Sequence, residues 1–466
     1  MKKRDFSQLR SMWSEFRRIK FGMVGLALLG MFVVVVLIEP LIVPFPDAAT
    51  RWRDMTYWVD NPRNAKPAWV NWFTSKDYAP SARIQSDNIV SGEFGAGKLY
   101  QAELPYKYSW DKAPSDVTLR MNVTGNARYE AEFIRPDGLS VTYQKTSQGA
   151  GTRDLRISVA QNLQPQLYQF AGKYEDPRVM QSTSASTINP LAVLFSQAEK
   201  GALLSGSKPL DGTYTVRVKV VAADATSSLN EAELIVAGGV QGVLGTDNMK
   251  RDLWSGLIAG TKWALIIGLL TSFIAVVVGV IYGVTSGYYG GFVDSLMNRI
   301  YEIFSSVPLL PILIVMSAVF KPSIWIMIAM MCIFFWVGPV RTVRSIALQI
   351  KEASYIEAAR GLGASNRRIL MRHMIPQLVP YAFASMALSV PGAIVYEASI
   401  SLIGLGDATR VTWGQILQAA FSSGAVLQGI WWWVVPPGVA IALMGMTFAF
   451  IGFAMDTILN PKLKTR

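Results

Sequence analysis

The sequence predicts a polytopic α-helical membrane protein, with six transmembrane helices and a β-rich, sandwich-like extracytoplasmic domain between helices 1 and 2. Three observations carry this. Of the 466 residues 51% are hydrophobic, and mean hydropathy is positive, too apolar for an ordinary soluble protein. The apolar residues gather in six runs, each about 17 residues or longer, enough to cross about 30 Å of hydrocarbon. The charge is also divided. Between Pro44 and Asp252 there are 23 Lys+Arg against 22 Asp+Glu, while the rest of the chain, out of totals of 44 and 32, holds 21 against 10. The basic excess therefore belongs to the apolar part and its flanks. That fits cytoplasmic loops facing the positive-inside rule and argues against nucleic acid as a partner.

The first run, Phe21–Ile38, follows the basic segment MKKRDFSQLRSMWSEFRRIK. At about 18 residues it is longer than a signal-peptide core, and no small-residue cleavage site follows it, so it reads as a retained span. The others are Leu257–Val284, Leu296–Phe320, Ile324–Val340, Leu378–Leu405 and Ile430–Ile458; the short Ile324–Val340 run is expected to continue into the next turns. Basic residues cluster before the first span (Lys2, Lys3, Arg4, Arg10, Arg17, Arg18, Lys20), between Arg341 and Arg372, and at the end (Lys462, Lys464, Arg466). Six spans put all three clusters on one side, the cytoplasm. The expected organisation is residues 1–43 as N-terminus and first span, 44–245 as the extracytoplasmic insert, and 246–466 as the membrane core.

The insert, about 200 residues, is long enough for a core of its own. ARYEAEFIRPDGLSVTYQ reads as two alternating runs about an Asp137–Gly138 turn. DGTYTVRVKVVA alternates strictly, with Tyr214, Val216, Val218 and Val220 on one face, and RDLRISVA is a third strand candidate. These suggest an antiparallel sandwich. Arg51–Tyr108, rich in Trp, Tyr, Pro and Asn, takes no assignment. The lone Cys332 permits no internal disulfide.

GEFGAGKL (Gly92–Leu99) nearly spells a phosphate-binding loop, but Leu99 stands where a hydroxyl must hold Mg²⁺, so a flexible turn is the better reading. His373 is the only histidine, which leaves neither a metal-ligand set nor a nucleophile–histidine pair. The segment 351–376 is more informative. KEASYIEAARGL is a helix former, Gly363 offers a left-handed cap, and SNRRILMRHMI can restart from Ser365 or Asn366 and stop before Pro376. Its small residues would let another protein approach closely. Composition alone leaves open a docking element or a basic loop lying on anionic lipid.

The spacing Glu357-Ala358-Ala359, then Gly363, then Pro376 resembles the EAA loop of ABC importer permeases. GTDNMKRDLWSGLIAGTKWALIIGL (Gly245–Leu269), SGYYGGFVDSLMNRIYEIFSSVPLL (Ser286–Leu310), EASISLIGLG (Glu397–Gly406) and TWGQIL (Thr412–Leu417) resemble segments of the dipeptide/oligopeptide subfamily, in its C-type subunit. The resemblance covers about Met12–Pro40 and Gly245 to the end. Lys250 departs from a usual glycine, Gln377 from a frequent asparagine and Asn460 from a common aspartate; the Pro-Pro usual after Gly406 is missing, and the β-rich insert is far larger than most relatives have.

The resemblance implies an ABC importer permease fold and no enzymatic activity on this chain. It implies a second, B-type permease subunit, two cytoplasmic ATPase subunits that carry the ATP and Mg²⁺, and an extracytoplasmic binding protein. It also implies an ATPase-coupling role for Glu357, Ala358, Ala359, Gly361, Gly363, Ala364 and Pro376. Carriers of oligosaccharides or nickel share the pattern, and a membrane-anchored receptor or sensor is the reading from another class. Among residues within spans, Arg299 and Glu302 can pair at i, i+3. Pro308, Pro311 and Pro391 could mark bends, and Glu397 could either anchor spans together or line the pathway.

Overall fold

The computed structural model describes residues 13–459 apart from 87, 95–96, 161, 205–206 and 223–226. Lys2, Lys3, Arg4, Arg10, Asn460, Lys462, Lys464 and Arg466 thus lie outside the described residues. Two units emerge, one of Met1–Arg53 with Trp254–Arg466, the other of Asp54–Leu253. The second begins ten residues after the expected boundary at 44 and ends eight after that at 245. Its C-terminal segment is held to its start. The Asn61 amide donates to the Lys250 carbonyl (3.0 Å) and Lys250 Nζ to the Val59 carbonyl (2.9 Å), while Arg251 pairs with the buried Asp247 (2.5 Å). Lys250 has φ +67°, the left-handed region that favours glycine. The bond to Val59 offsets the backbone cost of a lysine there.

Among the described residues the β unit has nine strands: β1 Ala82–Gln85, β2 Ile89–Phe94, β3 Gly97–Tyr108, β4 Asp116–Thr124, β5 Ala127–Ile134, β6 Ser140–Gln148, β7 Gly151–Arg156, β8 Gly212–Ala222 and β9 Ser228–Ala237. They form two antiparallel sheets, of order β1-β9-β4-β7 and β2-β3-β8-β5-β6. One apolar core takes Leu119, Met121, Leu234 and Val236 from the first sheet and Leu104, Phe133, Tyr214, Val216, Val218 and Val220 from the second. The β5–β6 hairpin turns at Gly138 (φ +86°), as the Asp-Gly signal requires. GEFGAGKL is the β2–β3 hairpin, with Phe94 opposite Gly97, so it lacks the helix a phosphate loop needs; its apex, 95–96, lies outside the described residues. The insert is less purely β than expected. Helices Leu163–Ala171 and Pro190–Leu194 add Leu163, Leu167, Leu191 and Leu194 to the same core.

The membrane unit comprises α1 Lys20–Leu37, α2 Leu253–Tyr289, α3 Gly291–Ser306, α4 Leu309–Val319, α5 Ile324–Phe335, α6 Val337–Lys351, α7 Ser354–Gly361, α8 Ile375–Leu402, α9 Trp413–Ser422 and α10 Trp431–Leu459. Among the described residues five helices are long and apolar enough to span a membrane, or six if the bent pair α3–α4 counts as one. That pair corrects the expectation of a continuous third span. The chain bends by 78° between Ser306 and Leu309, because Pro308 cannot donate a helical hydrogen bond and holds Val307 extended. The short Ile324 run does continue, through α6. Pro391, by contrast, sits inside the uninterrupted α8, and Pro311 in the first turns of α4.

Helix α2 approaches α6 unusually closely. Gly279, Gly283 and Gly287 recur every four residues on one face, and a Cβ on each would lie 2.5 Å from Pro339, 2.8 Å from Val343 and 2.9 Å from Ala347 respectively. Such small-residue ridges let helix backbones meet where apolar lipid gives no hydrophobic drive. Gly283→Leu is expected to force the pair apart, at a cost of about 1–3 kcal/mol or more. Thermal unfolding of the purified chain in detergent checks this. Gly338→Ala, where an added Cβ meets nothing within 4 Å, serves as the neutral control.

Candidate functional site

The segment between α6 and α8 is built on the end of α2. There Gly290 and Gly291 have φ +64° and +56°, a reversal that places α3 immediately after α2. Asp294, in the first turn of α3, accepts two bonds from the Arg344 guanidinium of α6 (2.7 and 2.5 Å), one from Asn298 (2.9 Å) and one from the Ser286 hydroxyl. This bidentate pair fixes α2, α3 and α6 at one end of the unit.

Helix α7 rests on that base through one large side chain. Ile356 is fully buried with Val284, Tyr288, Val343, Ala347, Ile369, Met374 and Leu378. The neighbouring Glu357, Ala358, Arg360, Gly361 and Leu362 are exposed, Ala359 half-buried, and Leu362 stands 90% exposed. Helix α7 ends in a Schellman motif: the Ala364 N–H donates to the Ala359 carbonyl (3.0 Å) and the Gly363 N–H to that of Arg360 (2.9 Å). Gly363 takes φ +80°, so the expected left-handed cap is present. Ala364 is half-buried against the Ile356 cluster.

The second half of the loop departs from expectation. Ser365 caps a helical turn, Asn366–Ile369, accepting from the Arg368 N–H (3.4 Å). That turn does not stop before Pro376. It passes through a π-turn, Leu370–Met374, straight into α8, where Pro376 lies in the first turn. A proline costs little at such a position, and the wider π-turn takes up the register change. His373 lies in this π-turn, half-buried. Two bonds brace the loop: Tyr288 Oη donates to Asn366 Oδ1 (2.8 Å), and Gln377 Nε2 to Tyr355 Oη (2.5 Å). Gln377, the departure from asparagine, thus ties α7 to α8.

The remaining sequence candidates lie elsewhere. Arg299 and Glu302 do pair (3.0 Å), but on an exposed face of α3, 81% and 54% accessible, so in this chain the pair relieves no burial cost. Glu397 is 21 residues beyond Pro376 on α8, roughly 30 Å along the axis. It is buried, and accepts from the Ser401 (2.8 Å) and Thr412 (2.7 Å) hydroxyls. Thr412 also accepts from the Gln415 N–H, capping α9 (3.2 Å). Gly406 and Gly414 make room for Ser401, and Trp413 Nε1 donates to the Leu257 carbonyl of α2 (2.9 Å). Close by in sequence, Asp407 accepts the Ile324 N–H and so caps α5 (3.0 Å). Burial pushes its carboxyl up, but Thr409, Ile324 and Arg410 together hold it below the usual range. The segments EASISLIGLG and TWGQIL therefore form a knot joining α2, α8 and α9.

Sequence reading missed Ile356, Ile369, Asp294 and Arg344. Ile356 had a signal, as the only aliphatic side chain larger than alanine within SYIEAARG. The Asp294–Arg344 pair, fifty residues apart, had none.

A bundle of apolar helices, with a braced, exposed loop at one end of α8 and a buried knot at the other, defines a polytopic membrane component. Comparison with known proteins agrees. The family described as binding-protein-dependent transport system inner membrane component matches residues 275–465, and the N-terminal transmembrane domain of oligopeptide transport permease C matches residues 7–67. The chain is 33% identical over 221 residues to the dipeptide transport system permease protein DppC of Bacillus subtilis, covering 47% of this chain and 68% of that one. It is 34% identical over 220 residues to the oligopeptide transport system permease protein OppC of Haemophilus influenzae, covering 47% and 70%. An inward-facing structure of the MetNI methionine ABC transporter aligns with 46% of this chain and 98% of its own, at 20% identity and a TM-score of 0.36. The chain belongs to the binding-protein-dependent permease family, in the branch of dipeptide and oligopeptide C-type subunits.

Glu397→Leu is expected to leave the Ser401 and Thr412 hydroxyls without an acceptor and to cost roughly 2–3 kcal/mol. Glu397→Gln keeps an acceptor oxygen and should cost less than about 1.5 kcal/mol. Thermal unfolding of the two variants side by side checks the ranking.

Proposed function

We propose that this chain is one of two permease subunits forming the translocation pathway of an ATP-driven peptide importer. The observation that carries this is the loop at α7. Its outward residues are small or protruding, while Ile356 and Ile369 lock it into the bundle. A loop that only turned the chain would need no such anchoring. The printed names of the relatives, dipeptide and oligopeptide permeases, favour peptides as cargo.

In this reading α3–α4 counts as one span, so there are six. The termini and residues 351–376 face the cytoplasm, and residues 44–245 lie outside the inner membrane. The partners are a B-type permease, two ATPase subunits that hold ATP and Mg²⁺, and a binding protein that delivers the peptide. This chain holds no cofactor and hydrolyses nothing. An ATPase gripping Glu357, Ala358 and Gly361 would move α7. Because α7 is packed on α2 and α6 and braced to the start of α8, that movement would pass into the spans rather than into a slack loop.

Reconstitution with the ATPases and binding protein tests this. Glu357→Lys and Gly363→Asp are expected to let ATP hydrolysis proceed while peptide uptake falls. Gly361→Leu is the sharper variant. No neighbour within 4 Å would meet an added Cβ there, so the chain itself tolerates it. Its expected effect is weaker association with the ATPase. Unchanged association and uptake in all three variants would refute the docking role.

A further inference from the structure

An aromatic tract of the β unit faces solvent rather than the core. Ala68–Trp72 forms a short 3-10 helix, AWVNW, followed by Phe73. Side chains three apart share one face of such a helix, so Trp69 and Trp72 lie on the same side. Trp69 packs edge-on against Phe73, with ring centroids 6.1 Å apart. Yet Trp72 and Phe73 stand 81% and 80% exposed. Val243, whose carbonyl accepts from the Trp69 indole (2.8 Å), is also exposed. No charged residue lies between Lys66 and Lys76. Single apolar residues on a surface are ordinary, but adjoining large ones mark an interaction site.

The tract is stitched to the segment that leads into α2. The Ala68 N–H donates to the Gly242 carbonyl (2.9 Å) and the Thr246 N–H to that of Ala65 (3.0 Å). Leu253, the first residue of α2, donates its N–H to the Gly245 carbonyl (3.1 Å). Val243 is two residues from Gly245, so the tract begins within about 10 Å of the start of α2. The Trp254 indole in turn donates to the Ile42 carbonyl (3.0 Å), which brings the chain after α1 to the same level. The apolar run of α2 begins at Leu257, roughly 6 Å further along the axis. The polar layer on each side of the hydrocarbon is about 5–8 Å thick, so Leu253 lies in it and the tract lies beside it. A soluble partner can meet any face of the β unit, whereas a bilayer must meet the face next to α2. Tryptophan, with an apolar ring and one N–H, favours that layer.

We propose that Trp72 and Phe73 insert into the headgroup layer of the leaflet at which α2 begins, and so tether the β unit to the lipid surface. The inference rests on the β unit and the start of α2, and holds whichever way the chain is oriented and whatever it carries. Electron paramagnetic resonance of the full chain in nanodiscs of phosphatidylethanolamine and phosphatidylglycerol tests it. A nitroxide is attached at Ser75→Cys in a Cys332→Ser background. Its collisions with oxygen, which concentrates in lipid, are compared with those of a water-soluble nickel chelate. Ala150→Cys gives the aqueous reference. It is exposed and lies at the far end of β4, since Gly151 pairs with Val123 while Asp116 pairs with Ala237. The oxygen-to-nickel ratio at 75 is expected to be several-fold above that at 150. Trp72→Ser with Phe73→Ser should lower it to the reference value and leave the unfolding temperature in detergent unchanged, since neither side chain is buried. A ratio at 75 equal to that at 150, or one that survives the double variant, would overturn the proposal. So would a label open to water in the chain alone and shielded only when a binding protein or second permease is added, which would make the tract a protein-docking face.

Discussion

The close approach of α2 to α6 across Gly279, Gly283 and Gly287 is the contact on which the rest of the membrane unit depends. It brings Tyr288 and Val284 beside Val343 and Ala347, and so creates the apolar seat that Ile356 fills. It also puts Arg344 within reach of Asp294, just after the Gly290–Gly291 reversal. With larger side chains at the glycines, the seat would open and α7 would lose its only buried anchor.

Helix α8 turns that local packing into something longer. One end is continuous with the loop through the π-turn and is braced by Gln377 on Tyr355; the other end is knotted by Glu397 to Ser401 and Thr412. A helix held at both ends carries displacement along its length. The hydrogen bonds at Glu397 are buried, where they count most and where a missing partner costs most. The geometry of Glu397, with its carboxylate held by Ser401 of α8 and by Thr412 at the start of α9, is that of an anchor between segments.

Much of this was legible in the sequence, for identifiable reasons. Apolar runs report the stretches that avoid water, so the long apolar helices could be located from the sequence, though not their exact ends or the bend in the third. Gly363 was readable because a left-handed cap has almost one solution, and Tyr214 to Val220 because a half-buried strand must alternate. The bend at Pro308 was half-read: proline announces a possible break, but Pro391 carries the same signal within an unbroken α8. The loop's second helix was misjudged because a first-turn proline can continue a helix as well as follow one. Pairings between distant segments, such as Asp294 with Arg344 or Thr412 with Glu397, leave no mark in a single sequence. Lys250 is instructive, since its departure from glycine was visible but its left-handed backbone was not.

In the proposed coupling, α7 transmits motion because Ile356 holds it to the bundle. The most direct test of this coupling is the ratio of peptide transported to ATP hydrolysed in assembled transporters carrying Ile356→Ala. The exposed residues of α7 are untouched by this change, so ATPase association should persist. With the anchor gone, hydrolysis should continue while the transport ratio falls well below that of the unaltered chain. A ratio equal to that of the unaltered chain, in complexes assembled to the same yield, would contradict the account.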